Sequence, residues 1–262
     1  MRDLLVLCYH AVSADWPSQL AVPPSRLDAQ LRFLIRRGYR PATLTEALRH
    51  PPAGRVLAVT FDDAYRSVIE RALPVLERQG VPATVFAPTA YVDEGGGELP
   101  AWSALSQWAG TDHEAELRCM SWDDLRTLAA AGWEIGSHSS THPVLTALGD
   151  AELDAELSGS RAACEEAMQQ ACTSLAYPFG AHDDRVAARA QAAGYEFAAG
   201  LDTGLAIAPA SLARPGQPAD PFALFRLGIY RRDGWPRFLA KVSPAVQRLR
   251  ASRPAHRLAR LA

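Results

Sequence analysis

Short apolar runs of strand length alternate along this chain with stretches whose apolar residues recur at helical spacing, and that alternation restricts the fold more than any other property of the sequence. Leu4 to Tyr9, Val56 to Phe61, Ala83 to Ala87, Trp133 to Ser137, Ser174 to Phe179, Phe197 to Leu201 and Leu224 to Tyr230 read as buried strands. Between them, Ser25 begins a helix with Leu27, Leu31, Leu34 and Ile35 on one face, ended by Gly38. Ser67 to Gln79 is amphipathic through Val68, Ile69, Ala72 and Leu76, and Ser121 caps a helix with Asp124 at its third position. Glu152 to Ala171 and Asp184 to Ala193 are further helices. Strand and helix in repeated alternation require right-handed crossovers and a mainly parallel sheet with the helices outside. Seven or eight strands of this kind predict an α/β fold closed into a distorted barrel.

Composition excludes several classes. With 262 residues, 48% of them hydrophobic, the chain has enough apolar material for a core and is neither disordered nor a disulfide scaffold. No run approaches the roughly 18 apolar residues of a membrane span, and no small-residue cleavage pattern follows Leu4 to Cys8, so a cytoplasmic protein is expected. Cys8, Cys119, Cys164 and Cys172 are scattered without a CxxC pair, and reduced thiols are expected. A net charge of −2 gives no general attraction for nucleic acid. Charge is uneven, however: residues 231–262 hold nine Lys and Arg against Asp233 alone, a local +8 that leaves −10 elsewhere. We divide the chain into one domain, 1–230, and a basic helical tail, 231–262. The tail either docks with its charged face in solvent or makes peripheral contact with an anionic membrane, which would place the protein at the inner membrane face. Asp93 to Pro100, with three glycines at 95 to 97, and the Pro/Ala-rich 210–221 stretch read as surface loops.

Residues able to do chemistry gather where strands end. Thr60-Phe61-Asp62-Asp63 closes an apolar run with two carboxylates, which point to opposite sides if the strand continues. At the carboxyl end of a parallel sheet, one could hold a metal and the other act as a base; an Asx turn or helix cap is the structural alternative. His138-Ser139-Ser140-Thr141-His142 places two imidazoles four residues apart, with Pro143 turning His142 away from helical geometry, so the pair must converge from a loop. Asp63 would complete a His2Asp set with an open position, as in a hydrolytic zinc site. Ala176-Tyr177-Pro178-Phe179-Gly180 runs into a turn whose N–H groups could face an oxyanion, or is an ordinary turn. Tyr9-His10 ends the first strand, where an imidazole would suit general-acid work. Among the aromatic residues, Tyr91 and Trp102 in loops are candidates for stacking on a substrate.

Taken in order, YHAV, TFDD, GSHSSTH and AYPFG resemble the polysaccharide deacetylase family (NodB homology, carbohydrate esterase family four) over about residues 4–230. The resemblance implies a distorted (β/α) barrel and metal-dependent removal of acetyl groups from an N-acetylated sugar. It implies Asp62 as catalytic base, Asp63, His138 and His142 as metal ligands, and Phe179 as the residue whose N–H assists the oxyanion. Two departures stand out. Ala176 occupies the place of the family's base-orienting Arg, for which Arg226 on the last strand is a substitute candidate, and the late Leu-x-His motif is missing. The early YHAV resembles the circularly permuted branch that contains poly-N-acetylglucosamine deacetylases, which assigns the general acid to His10. Zinc is the expected metal, with cobalt or nickel accepting the same ligands, and a glycan is the expected partner. A non-sugar amide, a cyclic ureide or an acetyl ester at the same site, or a carbohydrate-binding protein without activity, are the competing functions.

Overall fold

Arg55–Phe61 is buried at every position after Arg55, which means that it is covered on both faces and flanked by other strands. In the computed structural model, which describes residues 3–50, 53–93, 99, 105–202 and 220–243, this segment is the organising strand of the sheet. In chain order the strands are β1 (Asp3–Tyr9), β2 (Ala11–Val12), β3 (Ala21–Val22), β4 (Tyr39–Ala42), β5 (Arg55–Phe61), β6 (Ala83–Ala87), β7 (Glu134–Ser137), β8 (Ser174–Ala176), β9 (Phe197–Asp202) and β10 (Leu224–Gly228). The α-helices are α1 (Pro24–Arg36), α2 (Leu44–Arg49), α3 (Leu73–Glu77), α4 (Trp122–Ala130), α5 (Asp150–Met168), α6 (Asp184–Ala192) and α7 (Trp235–Val242).

Seven parallel strands close on themselves in the order β1-β10-β9-β8-β7-β6-β5, because β1 pairs with both β10 and β5. The ring is distorted at β5. Its first half, Arg55 to Ala58, pairs with β4, whereas its last three residues, Val59 to Phe61, pair with β6 on that same side. Strand β4 therefore wedges open the bottom of the barrel between β5 and β6. It pairs only with β5, so the missing N–H of Pro41 costs it no ladder bond.

Helices cover the outside as the alternation requires. The predicted helix Ser67 to Gln79 is instead a π-helical turn, Val68–Ala72, leading into α3. Pro74 has no N–H to continue an α-helical ladder and its ring crowds the preceding turn, which widens it. Likewise the Ser174 to Phe179 strand stops at Ala176, where Pro178 begins a 3-10 turn. Ser121 forms the expected capping box, its hydroxyl accepting from the N–H of Asp124 while the Asp124 carboxylate accepts from the N–H of Ser121. Helix α7, within the basic 231–262 segment, buries Phe238 and Val242 in the main core with Leu31, Leu34 and Ile229. Asp233, fully buried at its start, accepts from the N–H of Tyr230 and from Lys241. All four cysteines are buried free thiols. Among the described residues no helix is long and apolar enough to cross a membrane.

Candidate active site

All barrel strands run the same way, so the segments that leave their carboxyl ends meet on one rim. His10 follows β1, Asp62 and Asp63 follow β5, His138 to His142 follow β7, and Phe179 follows β8. The strand ends at Phe61, and Asp63 takes a left-handed backbone (φ 67°) instead of extending the alternation. This is why both carboxylates remain buried at the rim instead of pointing to opposite faces.

Asp63, His138 and His142 form a compact donor set. Asp63 Oδ1 is buried, accepts no hydrogen bond, and lies 3.5 Å from His138 Nε2 and 3.3 Å from His142 Nε2. His138 Nδ1 is 2.8 Å from the carbonyl of Ala176, which fixes the tautomer with the proton on Nδ1 and leaves the Nε2 lone pair facing Asp63. For oxygen and nitrogen ligands about 2.0–2.1 Å from a tetrahedral ion, ligand atoms stand roughly 3.3–3.4 Å apart. The observed separations match, so these residues fit a divalent cation. Electrostatics point the same way: burial lowers the His138 pKa, yet Asp62 and Asp63 outweigh it and raise the value overall, the response of a site that attracts positive charge.

Asp62 is held differently. Arg226, fully buried on β10, donates from its two terminal nitrogens to the two Asp62 oxygens at 2.5 and 2.9 Å, and also reaches Thr60 Oγ1 at 3.2 Å. The Asp62 N–H bonds the carbonyl of Tyr9 at 3.0 Å, tying the end of β5 to β1. Burial pushes the Asp62 carboxyl up, but Arg226 and His138 pull it further down, so it stays ionised below the ordinary carboxylate value. His10 stacks on Tyr230 with ring centroids 6.1 Å apart, and burial outweighs the nearby carboxylates to lower its pKa. Thus a charged acceptor and a readily neutral imidazole share one rim.

The loops holding these groups are strained in a consistent place. Of six non-glycine residues with positive φ among the described residues, Asp63, Ala64, Ser139, His142 and Phe179 all lie in the site loops. Such conformations cost of order 1–3 kcal/mol each and persist only where surrounding bonds enforce them. Here Glu156 on α5 supplies several: its carboxylate accepts from the N–H groups of Ser140 and Thr141 at 2.8 and 2.9 Å and from the Thr141 hydroxyl at 2.6 Å. At the Pro178-Phe179-Gly180 turn, the Phe179 ring meets His142 edge-on at 4.7 Å, so the turn faces the donor set. Gly180 (φ 72°) is required there, since a Cβ would sit 2.5 Å from the Leu201 nitrogen.

Tyr91 lies on a short 3-10 turn whose neighbours Thr89 and Ala90 donate to the carbonyls of Ser139 and Ser140, beside the histidine loop. Trp102, most of the glycine loop and most of the 210–221 stretch lie outside the described residues. Two participants were missed by sequence reasoning. Glu156 has no sequence signal, being remote from the loop it organises. Cys8, whose thiol is 3.3 Å from Asp62 Oδ2, was legible in principle, because it stands two residues before His10 at the end of the first strand.

Comparison with known proteins gives the family and the fold. Residues 49–198 match the profile of the family described as polysaccharide deacetylase. YxkH of Bacillus subtilis, whose name assigns it to the polysaccharide deacetylases, is 24% identical over 208 residues, which is 78% of this chain and 66% of the relative's length. IcaB from Ammonifex degensii shares the fold at a TM-score of 0.70 with 24% identity, covering 92% of this chain and 97% of the other. The Streptococcus pyogenes deacetylase PplD, solved with acetate, does so at 0.70 with 22% identity, covering 92% and 98%. With more than half its length matched to the profile, this chain belongs to the polysaccharide deacetylase family.

Proposed function

We propose that this protein is a metal-dependent hydrolase that removes N-acetyl groups from an N-acetylhexosamine-containing glycan, whether a polysaccharide, an oligosaccharide or a lipid-linked precursor. The observation that carries the reading is the division of labour between adjacent carboxylates: Asp62 is clamped by Arg226, while Asp63 faces two imidazoles. A binding protein would have no use for that division.

Held by Asp63, His138 and His142, a divalent ion such as zinc, cobalt or nickel would polarise the acetyl carbonyl and acidify water. Asp62, kept ionised by Arg226, accepts the proton of the attacking water. The Phe179 N–H, on a turn facing His142, donates to the oxygen that becomes negative as the carbonyl carbon turns tetrahedral. His10, entering the step as the imidazolium, whose proton burial makes easy to give up, delivers that proton to the sugar nitrogen as the C–N bond breaks, so the products are acetate, a free amine and neutral His10. Tyr91, beside the histidine loop, offers a face for stacking on the sugar ring.

The test is acetate release from N-acetylglucosamine oligomers by metal-stripped protein, with zinc, cobalt or nickel restored. The expected result is metal-dependent release that Asp62→Asn abolishes while still binding one ion, and that His138→Ala loses together with the ion. Full activity in Asp62→Asn, or no release by protein carrying stoichiometric metal, would overturn the assignment.

A further inference from the structure

Inside the rim lies a second group of ligand-type atoms, in which the reaction above employs His10 and Asp62 but leaves the thiol of Cys8 unexplained. Cys8 lies near the end of β1 and His10 just beyond it, and Cys8 pairs in register with Thr60 of β5, two residues before Asp62. One ligand atom from each of Cys8, His10 and Asp62 lies within 4.8 Å of the other two, and all three residues are buried. The Cys8 thiol is 3.3 Å from Asp62 Oδ2. His10, 8% exposed, has its Nδ1 buried without a hydrogen bond. A thiol, an imidazole and a carboxylate make a softer set than the neighbouring Asp63 and two histidines, which include no sulfur.

We propose that Cys8, His10 and Asp62 form a second, inhibitory site for a thiophilic divalent cation, zinc or cadmium, beside the Asp63–His138–His142 centre. The ion takes the place of the proton between Cys8 and Asp62: the S–H bond breaks, a sulfur–metal bond forms, the proton leaves to solvent, and nothing is oxidised or reduced. A tetrahedral ion about 2.3 Å from sulfur and 2.0–2.1 Å from oxygen separates those atoms by roughly 3.5 Å, close to the observed contact. Arg226 opposes the incoming charge. Exchanging one proton for a divalent ion raises the local charge by one, so this site fills after the first and only at excess metal. Once filled, it occupies a lone pair of the proposed base and a nitrogen of the proposed acid. The inhibitory consequence rests on the deacetylase reading, whereas binding of the ion does not.

The experiment is a titration of the metal-stripped full chain with cobalt(II), followed optically. The first equivalent is expected to give visible bands without a thiolate-to-cobalt charge-transfer band. Further cobalt is expected to add that near-ultraviolet band. Cys8→Ser should abolish it and weaken the second ion at least about 100-fold, with the first ion bound as before. Cys119→Ser should retain it, although that thiol lies 3.4 Å from the Asp63 carbonyl. If Cys8→Ser does not fold, His10→Ala, which keeps the thiol, should show the same loss of affinity. Acetate release should fall as zinc exceeds one equivalent and recover when a chelator returns it to one. A band that appears with the first equivalent, survives in Cys8→Ser, or never appears at excess cobalt overturns the second site. A chain that shows the band yet releases no acetate keeps the site and overturns the deacetylase reading instead.

Discussion

Arg226 on β10 and Asp62 just beyond β5 stand 164 positions apart in sequence and meet as a two-point clamp, each terminal guanidinium nitrogen on its own carboxylate oxygen. Planarity matters as much as charge. Arg226→Lys keeps the cation but loses the fork, and is expected to lower kcat about 100-fold by letting Asp62 rotate, the scale of a 1 Å misplacement. Arg226→Met leaves a buried carboxylate unpaired and should cost about 3–5 kcal/mol near neutral pH. Steady-state kinetics and denaturant unfolding check the two, with metal stoichiometry unchanged in Arg226→Lys.

The same pair sets a pH dependence whose sign is fixed. Asp62 is held below its ordinary value in the folded chain, so its contribution to stability is present above the unfolded value of about 3.9 and is lost as pH falls through the folded one. In Arg226→Met, burial still pushes the Asp62 carboxyl up while only His138 and His10 pull it down, so its pKa lies above the wild-type value and the stability tied to its ionisation is smaller. Thermal unfolding of metal-free protein from neutral to acidic pH should therefore show a wild-type advantage that narrows steadily toward acid. A gap independent of pH would show that the guanidinium acts only by packing.

At the aromatic turn, Gly180→Ala places a methyl group 2.5 Å from the Leu201 nitrogen at a positive φ, so the turn must shift. The expected outcome is a loss of about 10² to 10³ in kcat, the scale of losing one oxyanion donor, with the first metal still bound. Kinetics paired with metal analysis separate this from a collapse of the donor set.

The basic segment calls for a cut in the right place. Truncation after Tyr230 removes Phe238 and Val242 from the core and should destabilise by at least the 3–5 kcal/mol typical of losing one buried Phe side chain. Truncation after Ser243 leaves that packing intact and removes five arginines and no acidic residue. Unfolding curves of the two truncations check this difference. We propose that these arginines hold the protein on anionic lipid, at about 1 kcal/mol each near the surface. Co-sedimentation with anionic vesicles should occur for the full chain, weaken with salt and vanish in the Ser243 truncation.

The fold was legible because its strands are buried on both faces and its helices are amphipathic, so the period of the apolar residues changes at nearly every boundary. Where a proline intervened the pattern misled. Pro41 hid β4, an edge strand able to do without one N–H, and Pro74 turned an amphipathic run into a π-helical turn. The site was legible as far as strand ends could bring residues together, which covers Asp62, Asp63, His138, His142 and His10. Contacts across the barrel were not, because the partner of Arg226 and the grip of Glu156 on the histidine loop depend on closure and leave no local trace.

That closure has a temporal consequence. β1 completes the ring by pairing with β10, the last strand, whereas the carboxylates and both histidines precede residue 143. During synthesis, therefore, every proposed metal ligand leaves the ribosome well before Arg226 does, and Asp62 waits without its countercharge. Contacts this distant in sequence form late. The clamp on Asp62 is completed only when the final strand pairs, so the proposed base is set in place once the whole barrel has been made.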